Sequence, residues 1–124
     1  MYTVLDVGNC RPDHASIKLM LESNFAVRVL QAHNATDTFS ILGSEQIDLV
    51  LINRKLDEDY SDGIEILKQI KADGKFSKVP VMLVTNYEEH QAQAISLGAI
   101  RGFGKLSLNN PVTHQRIAEA LQVV

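Results

Sequence analysis

Five short segments of the chain are rich in aliphatic and β-branched residues. The third, Ile47–Asn53, is apolar over most of its length, as expected for a parallel strand that is covered on both faces. The other four segments are Val4–Val7, Phe25–Leu30, Val79–Thr85 and Ile100–Lys105. The pattern therefore predicts five strands of a largely buried sheet.

Segments with helical spacing of apolar residues lie between these strands. In the first, Ile17, Met20 and Leu21 fall on one face. Strands and helices that alternate in this way predict βαβ units with right-handed crossovers and a parallel α/β sheet with helices on both faces. The five predicted helices are Pro12–Ser23, a second capped by Asn34, Gly63–Asp73, Glu88–Leu97, and a fifth that opens at Asn110–Pro111.

Composition and charge narrow the class of protein. The chain has 124 residues, 45% of them hydrophobic, and a net charge of -3, which predicts a single domain over residues 1–124 that binds neither nucleic acid nor an anionic membrane. Its start, Met1–Asp6, lacks the pattern of a signal peptide, and no apolar stretch reaches the roughly 18 residues of a membrane span. Cys10 is the only cysteine, so we expect a cytoplasmic protein without disulfides.

Three strands end at polar side chains of different chemistry. The third ends at the amide of Asn53, the fourth at the hydroxyl of Thr85 and the fifth at the amine of Lys105. The carboxyl ends of parallel strands share one edge of the sheet, where α/β proteins bind ligands. We therefore expect the functional site at this edge.

In order and spacing, these elements resemble the receiver domain of two-component response regulators along nearly the whole chain. The resemblance implies a flavodoxin-like, doubly wound, five-stranded parallel sheet with strand order 2-1-3-4-5. In that family an aspartate at the tip of the third strand accepts a phosphoryl group, and acidic residues after the first strand help to hold Mg²⁺. Thr85 and Lys105 match the residues that bind the phosphoryl oxygens, while Asn53 stands at the phosphoacceptor position.

The acidic positions of the family are neutral in this chain. Its acidic pair aligns with Gly8 and Asn9, and the amide of Asn53 cannot form an acyl phosphate. A pocket without clustered carboxylates needs no metal ion. The sequence thus predicts a degenerate receiver that has no cofactor, binds magnesium weakly or not at all, and is not an enzyme.

Three acids could substitute for the missing carboxylates. Asp6 is also suited to pair with Lys105, Asp13 suits the first turn of a helix because of the helix dipole, and Asp57 lies four residues after Asn53. Lys105 has Asp6, Asp57 and backbone carbonyls as candidate partners. A working phosphoryl-accepting switch that uses Asp6 or Asp57 is therefore the alternative function.

A third function would use the only thiol of the chain. Cys10 and His14 lie four residues apart near a predicted helix start, where the pKa of a thiol can fall. No third group that would orient the pair is evident. A small thiol enzyme is therefore the least favoured function.

The favoured function is a phosphorylation-independent protein-interaction module in two-component (phosphorelay) signal transduction. Its partner would be a histidine kinase, an effector or a second copy of the chain. In the family, the face made by the fourth helix, fifth strand and fifth helix mediates such contacts, and an aromatic residue couples this face to the pocket. Gly102 replaces that aromatic residue here. We therefore expect the face to keep one conformation. The predicted interaction residues are Glu88, Glu89, Gln91, Arg101, Phe103, Arg116 and Glu119.

Overall fold

The computed structural model describes residues 1–123, and in them strands and helices alternate from end to end. The strands are β1 (Tyr2–Val7), β2 (Val27–Ala32), β3 (Leu49–Asn53), β4 (Val81–Val84) and β5 (Ile100–Phe103). The helices are α1 (Arg11–Asn24), α2 (Ala35–Ser44), α3 (Gly63–Ala72), α4 (Glu88–Ser96) and α5 (Pro111–Leu121), and a 3-10 turn, Lys105–Ser107, follows β5.

The strands form one parallel sheet in the order β2-β1-β3-β4-β5. This confirms the predicted flavodoxin-like topology. The chain leaves β1 toward β2 on one side and then crosses to β3 on the other side. The crevice that forms where the winding reverses therefore lies at the carboxyl edge, between β1 and β3.

The central strand β3 is buried on both faces, as its apolar sequence predicted. Leu49 and Leu51 pack in the layer that contains α1 and α5, whereas Val50 and Ile52 pack in the layer that contains α2, α3 and α4. Successive side chains of a strand point to opposite faces, so an unbroken apolar run supplies both layers. The two cores fix the position of the strand tip at Asn53.

Three strands begin later than the sequence pattern suggested, and the first of them is β3, which begins at Leu49 rather than Ile47. Phe25 ends α1 rather than opening β2, because its N–H donates to the Leu21 carbonyl at 2.9 Å. Strand β4 starts at Val81 because Pro80 has no N–H to donate, although its carbonyl still accepts from Val50 N at 2.9 Å. All three differences affect strand starts and leave the carboxyl edge unchanged.

Within residues 1–123, none of the helices combines the length and the hydrophobicity needed to cross a membrane.

Candidate functional site

The tips of β3, β4 and β5 open onto one cavity of about 330 Å³. Asn53 ends β3 opposite Val84 of β4, Thr85 follows β4, and Lys105 begins the turn after β5. All three side chains line the cavity. The structure therefore brings together three residues that are spread over more than fifty positions of the sequence.

The amide of Asn53 is used as a hydrogen-bond donor to the backbone. Its Nδ2 donates to the carbonyl of Lys55 at 2.6 Å and lies 3.4 Å from the carbonyl of Gly8. The Gly8 carbonyl also accepts from the backbone N–H of Asp57 at 2.9 Å. An ionised aspartate has no hydrogen to donate, so the amide connects the ends of β1 and β3 in a way that a carboxylate could not.

Gly8 has a backbone conformation that favours glycine. Its φ is +79°, and a Cβ there would overlap the side chain of Leu56. Asn9 follows with a fully buried side chain. These two positions therefore carry the chain out of β1 without placing any charge at the strand tip.

Asp6 is fully buried near the end of β1, and both of its carboxylate oxygens are engaged. Oδ1 accepts from Asn9 Nδ2 at 2.6 Å, and Oδ2 lies 2.7 Å from His14 Nδ1. A buried carboxylate requires such partners. The predicted pairing of Asp6 with Lys105 is therefore wrong: the partner of Asp6 is His14.

Lys105 instead bonds to Asp13, a residue that was predicted as a first-turn residue of a helix and as a possible substitute acid, but not as a partner of Lys105. The Nζ of Lys105 lies 2.7 Å from Asp13 Oδ2. The hydrogen bond from Lys105 lowers the pKa of Asp13, and partial burial opposes this effect. Lys105 therefore does not pair with its predicted partners, which were Asp6, Asp57 and backbone carbonyls. The residue that it contacts lies 92 positions away in the sequence.

The carboxylate of Asp57 is directed toward the end of β2. Its Oδ1 lies 3.9 Å from His33 Nδ1, which is beyond hydrogen-bond distance. Within residues 1–123, the lining of the cavity includes none of the three candidate acids Asp6, Asp13 and Asp57. Asp6 and Asp13 are therefore held by other partners, and Asp57 lies outside the lining of the cavity.

The magnesium ion that the resemblance implies does not fit these residues. Mg²⁺ requires oxygen ligands, usually with one or two carboxylates among them. Asp6 has both oxygens engaged in the interior, and Asn53 directs its NH₂ group to two carbonyls. In the described part of the chain, no cluster of three His, Cys, Asp or Glu side chains could hold a metal ion.

Cys10 is a half-buried residue that precedes α1 and makes no side-chain hydrogen bond to the helix N-terminus. Its predicted partner, His14, directs Nδ1 to Asp6. Within residues 1–123, no hydrogen bond joins the Cys10 thiol to the His14 ring. His14 is therefore not placed to act as a base for the thiol.

Other residues of the cavity were missed by the sequence analysis. The hydroxyl of Thr85 lies 3.2 Å from His90 Nδ1 and accepts from the backbone N–H of Tyr87 at 3.3 Å. The rings of Tyr87 and His90 meet edge-on with centroids 5.4 Å apart. Arg54 and Lys55 complete one wall. The available signal was a basic pair directly after the tip of β3.

Beside the cavity, the ladder between β4 and β5 is irregular. Ile100 pairs with Met82 and Phe103 with Val84, so β5 has one residue more than β4 over this stretch. At this irregularity the side-chain amide of Gln91 bonds to both strands. Its Nε2 donates to the Leu83 carbonyl at 3.0 Å, and its Oε1 accepts from the N–H of Gly102 at 2.9 Å. The side chain thereby links α4 to both strands.

Gly102 is required by this close approach of the two strands. A Cβ at this position would overlap the carbonyl oxygen of Leu83. Gln91 and Phe103, which were predicted on the interaction face, are only 4% and 3% exposed. They lie at the floor of a depression on that face and support it, rather than on its exposed surface.

The surface above them carries the other predicted interaction residues. Arg101 forms an ion pair with Glu88, and the hydrogen bond from Arg101 lowers the pKa of Glu88. Arg116 donates to the Gly102 carbonyl at 3.3 Å. Glu89 and Glu119 are exposed on α4 and α5. Glu88, Arg101 and Arg116 line a surface depression of about 400 Å³.

Comparison with solved structures shows the same fold in many proteins. The signal receiver domain of a DNA-binding response regulator from Colwellia psychrerythraea has a TM-score of 0.81 and 21% identity, with 98% of this chain and 99% of that chain covered. A putative response regulator from Chloroflexus aurantiacus has a TM-score of 0.81 and 15% identity, with 98% of each chain covered. A two-component response regulator from Clostridium difficile has a TM-score of 0.79 and 17% identity, with 99% and 98% covered.

Comparison with curated proteins finds no match. The family model of the response regulator receiver domain matches residues 13–122, which is most of the chain. The match begins after β1, so the neutral residues Gly8 and Asn9 lie outside it, whereas Asn53, Thr85 and Lys105 lie within it. The chain therefore belongs to the response regulator receiver domain family, whose members act in two-component signalling.

Proposed function

We propose that this receiver domain is degenerate and works as a phosphorylation-independent protein-interaction module in two-component signalling. The observation that carries the proposal is Asn53 at the tip of β3, with its amide bonded to the Lys55 carbonyl at 2.6 Å. An amide nitrogen in this position is not a nucleophile toward phosphate. The domain would act in the cytoplasm and without catalysis, as a single unit over residues 1–124.

The surroundings of Asn53 support the proposal. Of the acids that could replace the missing acceptor, Asp6 is buried with both oxygens bonded and Asp13 is paired with Lys105. Releasing either carboxylate would break a charge-assisted hydrogen bond, and such bonds contribute about 1.5–3 kcal/mol. Asp57 is not held in this way, so it is the substitute that an experiment must test.

The first test is phosphorylation by a small donor. We expect no added phosphoryl group in the intact mass after incubation with acetyl phosphate and magnesium, and the Asn53→Ala variant should behave in the same way. Magnesium should likewise cause no saturable amide shifts at Asn9 or Asn53. A stoichiometric adduct that hydroxylamine removes would contradict the proposal, and its loss in Asp57→Asn or Asp6→Asn would identify the substitute acceptor.

The interaction face is proposed to hold one conformation. Gln91 connects α4 to the carbonyl of Leu83 and to the N–H of Gly102, and Arg116 of α5 bonds to the carbonyl of the same glycine. Gly102 has no side chain that could turn between inward and outward positions. These contacts support a face that does not respond to the state of the pocket.

Two features of this face suit a protein partner. Its rim carries both signs of charge, which favours specific pairing over general adhesion. Exposed apolar side chains accompany these charges: Leu106 is 89% exposed and Val112 is 48% exposed, and both line the same depression as Arg101. A histidine kinase, an effector domain or a second copy of the chain would bury them.

Charge reversal tests the face. The double change Arg101→Glu and Arg116→Glu should abolish self-association in sedimentation experiments, or binding to a panel of purified histidine kinases and effector domains. The matched control is Arg11→Glu with Lys18→Glu on α1, which should leave association intact. Both variants must retain the native circular dichroism spectrum. Loss of association in the α1 variant alone would place the interaction elsewhere and contradict the proposal.

A further inference from the structure

His14, near the start of α1, is held in place by a buried carboxylate. Its Nδ1 lies 2.7 Å from Oδ2 of Asp6, whose side chain is fully buried. The other oxygen of Asp6 accepts from Asn9 Nδ2 at 2.6 Å. An ionised carboxylate can only accept hydrogen bonds, so Nδ1 carries the hydrogen of this contact. The neutral ring therefore has its lone pair on Nε2.

This second ring nitrogen is available to a reagent in solution. Within residues 1–123, no hydrogen bond engages His14 Nε2, and the buried polar atoms that lack a partner do not include it. The atom therefore reaches solvent, although only 15% of the side chain is exposed. A carboxylate that fixes the Nδ1–H also fixes the direction of the opposite nitrogen, which is a nucleophile.

Positive charge flanks this ring on the surface of α1. Arg11 precedes His14 by three positions and Lys18 follows it by four, so the three side chains lie on one side of the helix. Both basic residues are exposed, and neither forms an ion pair among residues 1–123. The adjacent carboxylate of Asp13 is bonded to Lys105 at 2.7 Å. An anionic group on Nε2 would thus lie between two cations.

We propose that His14 is a phosphoryl acceptor, whose Nε2 takes a phosphoryl group from a donor that has a phosphorus–nitrogen bond. The lone pair of Nε2 forms the new N–P bond. The P–N bond of the donor breaks, and its electron pair leaves with the protonated donor nitrogen as a neutral amine. The ring becomes an imidazolium that keeps its Nδ1 hydrogen, and the Asp6 carboxylate stabilises this charge.

This modification is separate from the proposed interaction function. His14 lies on α1, outside the face made by α4, β5 and α5, and the step does not involve Asn53 or a metal ion. The face is proposed to work without a phosphoryl group, and a phosphoryl group on His14 would leave it unchanged. The inference therefore does not depend on the proposed function.

The test uses phosphoramidate, a small donor of this class, with the whole chain in EDTA. We expect the intact mass to show one added phosphoryl group, and tandem mass spectrometry of the wild type to place it on His14. The N–P bond should survive alkali and be lost in acid. An acyl phosphate, which would contradict the proposed function, is lost in alkali, so the two results are distinguishable.

His33 provides the matched control. Its side chain is 47% exposed, and its Nδ1 lies 3.9 Å from Asp57 Oδ1, too far for a hydrogen bond. Exposure alone would therefore direct the donor to His33, whereas orientation by a carboxylate directs it to His14. The variant His14→Gln should lose the adduct, and His33→Gln should form it at the rate of the wild type.

Asp6 is a positioning residue in this reaction. Asparagine has a similar size but no charge to stabilise the imidazolium, so Asp6→Asn should slow the modification of His14 by about 10–100-fold. The measurement is the initial rate at a fixed phosphoramidate concentration. The variant must retain the native circular dichroism spectrum, because Asp6 is buried.

A second variant leaves the interior untouched. Arg11→Gln combined with Lys18→Gln removes the two flanking cations from the surface of α1 and should slow the reaction by about two- to fivefold. Lys75→Gln combined with Lys78→Gln removes two exposed charges from the loop after α3 and should leave the rate unchanged.

Four results would overturn the inference. The wild type gains no phosphoryl group in EDTA, or the group is mapped to His33 or another residue instead of His14. A folded His14→Gln variant keeps the adduct, or the Asp6 variant and the double variant on α1 both react at the rate of the wild type. The first two results come from the wild type alone, so they stand even if a variant fails to fold.

Discussion

Replacing Gln91 with leucine should destabilise the domain far more than its position on a helix suggests. Leucine has a similar size but cannot hydrogen-bond. The change removes the donor to the Leu83 carbonyl and the acceptor for the Gly102 N–H, which are 3.0 Å and 2.9 Å from the amide. The site is only 4% exposed, so water cannot replace these bonds freely.

The expected size follows from the hydrogen bonds that three backbone groups lose, namely those of the Gly102 N–H and of the Leu83 and Thr85 carbonyls. A buried N–H without an acceptor costs about 1–3 kcal/mol, and a carbonyl costs less because it has two lone pairs. Burial of the added apolar surface of leucine offsets part of this loss. We therefore expect the free energy of unfolding to fall by about 2–3 kcal/mol.

Urea unfolding measures this loss as a shift of the midpoint at constant slope. The matched control is Gln93→Leu, the same chemical change at an exposed position of α4, which should alter stability by less than about 0.5 kcal/mol. Faster hydrogen exchange of the Gly102 amide in Gln91→Leu would give a local readout. Equal effects of the two substitutions would refute the role of Gln91 in linking α4 to β5.

Two further predictions concern the same edge of the sheet. Gly102→Ala should destabilise the domain by about 1–3 kcal/mol in urea unfolding, since its Cβ would overlap the Leu83 carbonyl oxygen. Gly43→Ala, in α2 with open space around it, should instead stabilise by about 0.5–1 kcal/mol. The bond between Asp13 and Lys105 lowers the pKa of the carboxyl, so its stabilisation is present above the ordinary pKa of 3.8 and is lost as the pH falls through the lowered value. Asp13→Asn should therefore be less stable than the wild type at pH 7, by under about 1 kcal/mol because the pair is partly exposed, and the difference should vanish in acid.

The fold class was predictable because it depends on periodicity. An apolar run such as Ile47–Asn53 can be buried only between two layers, and the alternation of strands with helices leaves a parallel sheet as the consistent arrangement. The identity of Asn53 likewise excludes an acyl phosphate at that residue, whatever its surroundings. Both conclusions follow from the chemistry of local sequence alone.

The partners of the charged side chains could not be predicted in this way. The sequence left several acids as possible partners of Lys105. In the folded chain its partner is Asp13, because the start of α1 and the end of β5 meet at the same edge of the sheet. Gln91 has a polar side chain on a helix with exposed neighbours, a pattern that is typical of a surface position. Its burial results from the irregular ladder between β4 and β5, which no local pattern reveals.

Local sequence thus determined the elements, their order and the absence of a carboxylate at the tip of β3. Tertiary structure decided that Asp6 is buried against His14 and that Arg54, Lys55 and Lys105 converge on one cavity. The physical reason is that hydrophobic periodicity is a property of neighbouring residues. Hydrogen bonds and charge clusters, in contrast, depend on atoms that only the folded chain brings within a few ångströms of one another.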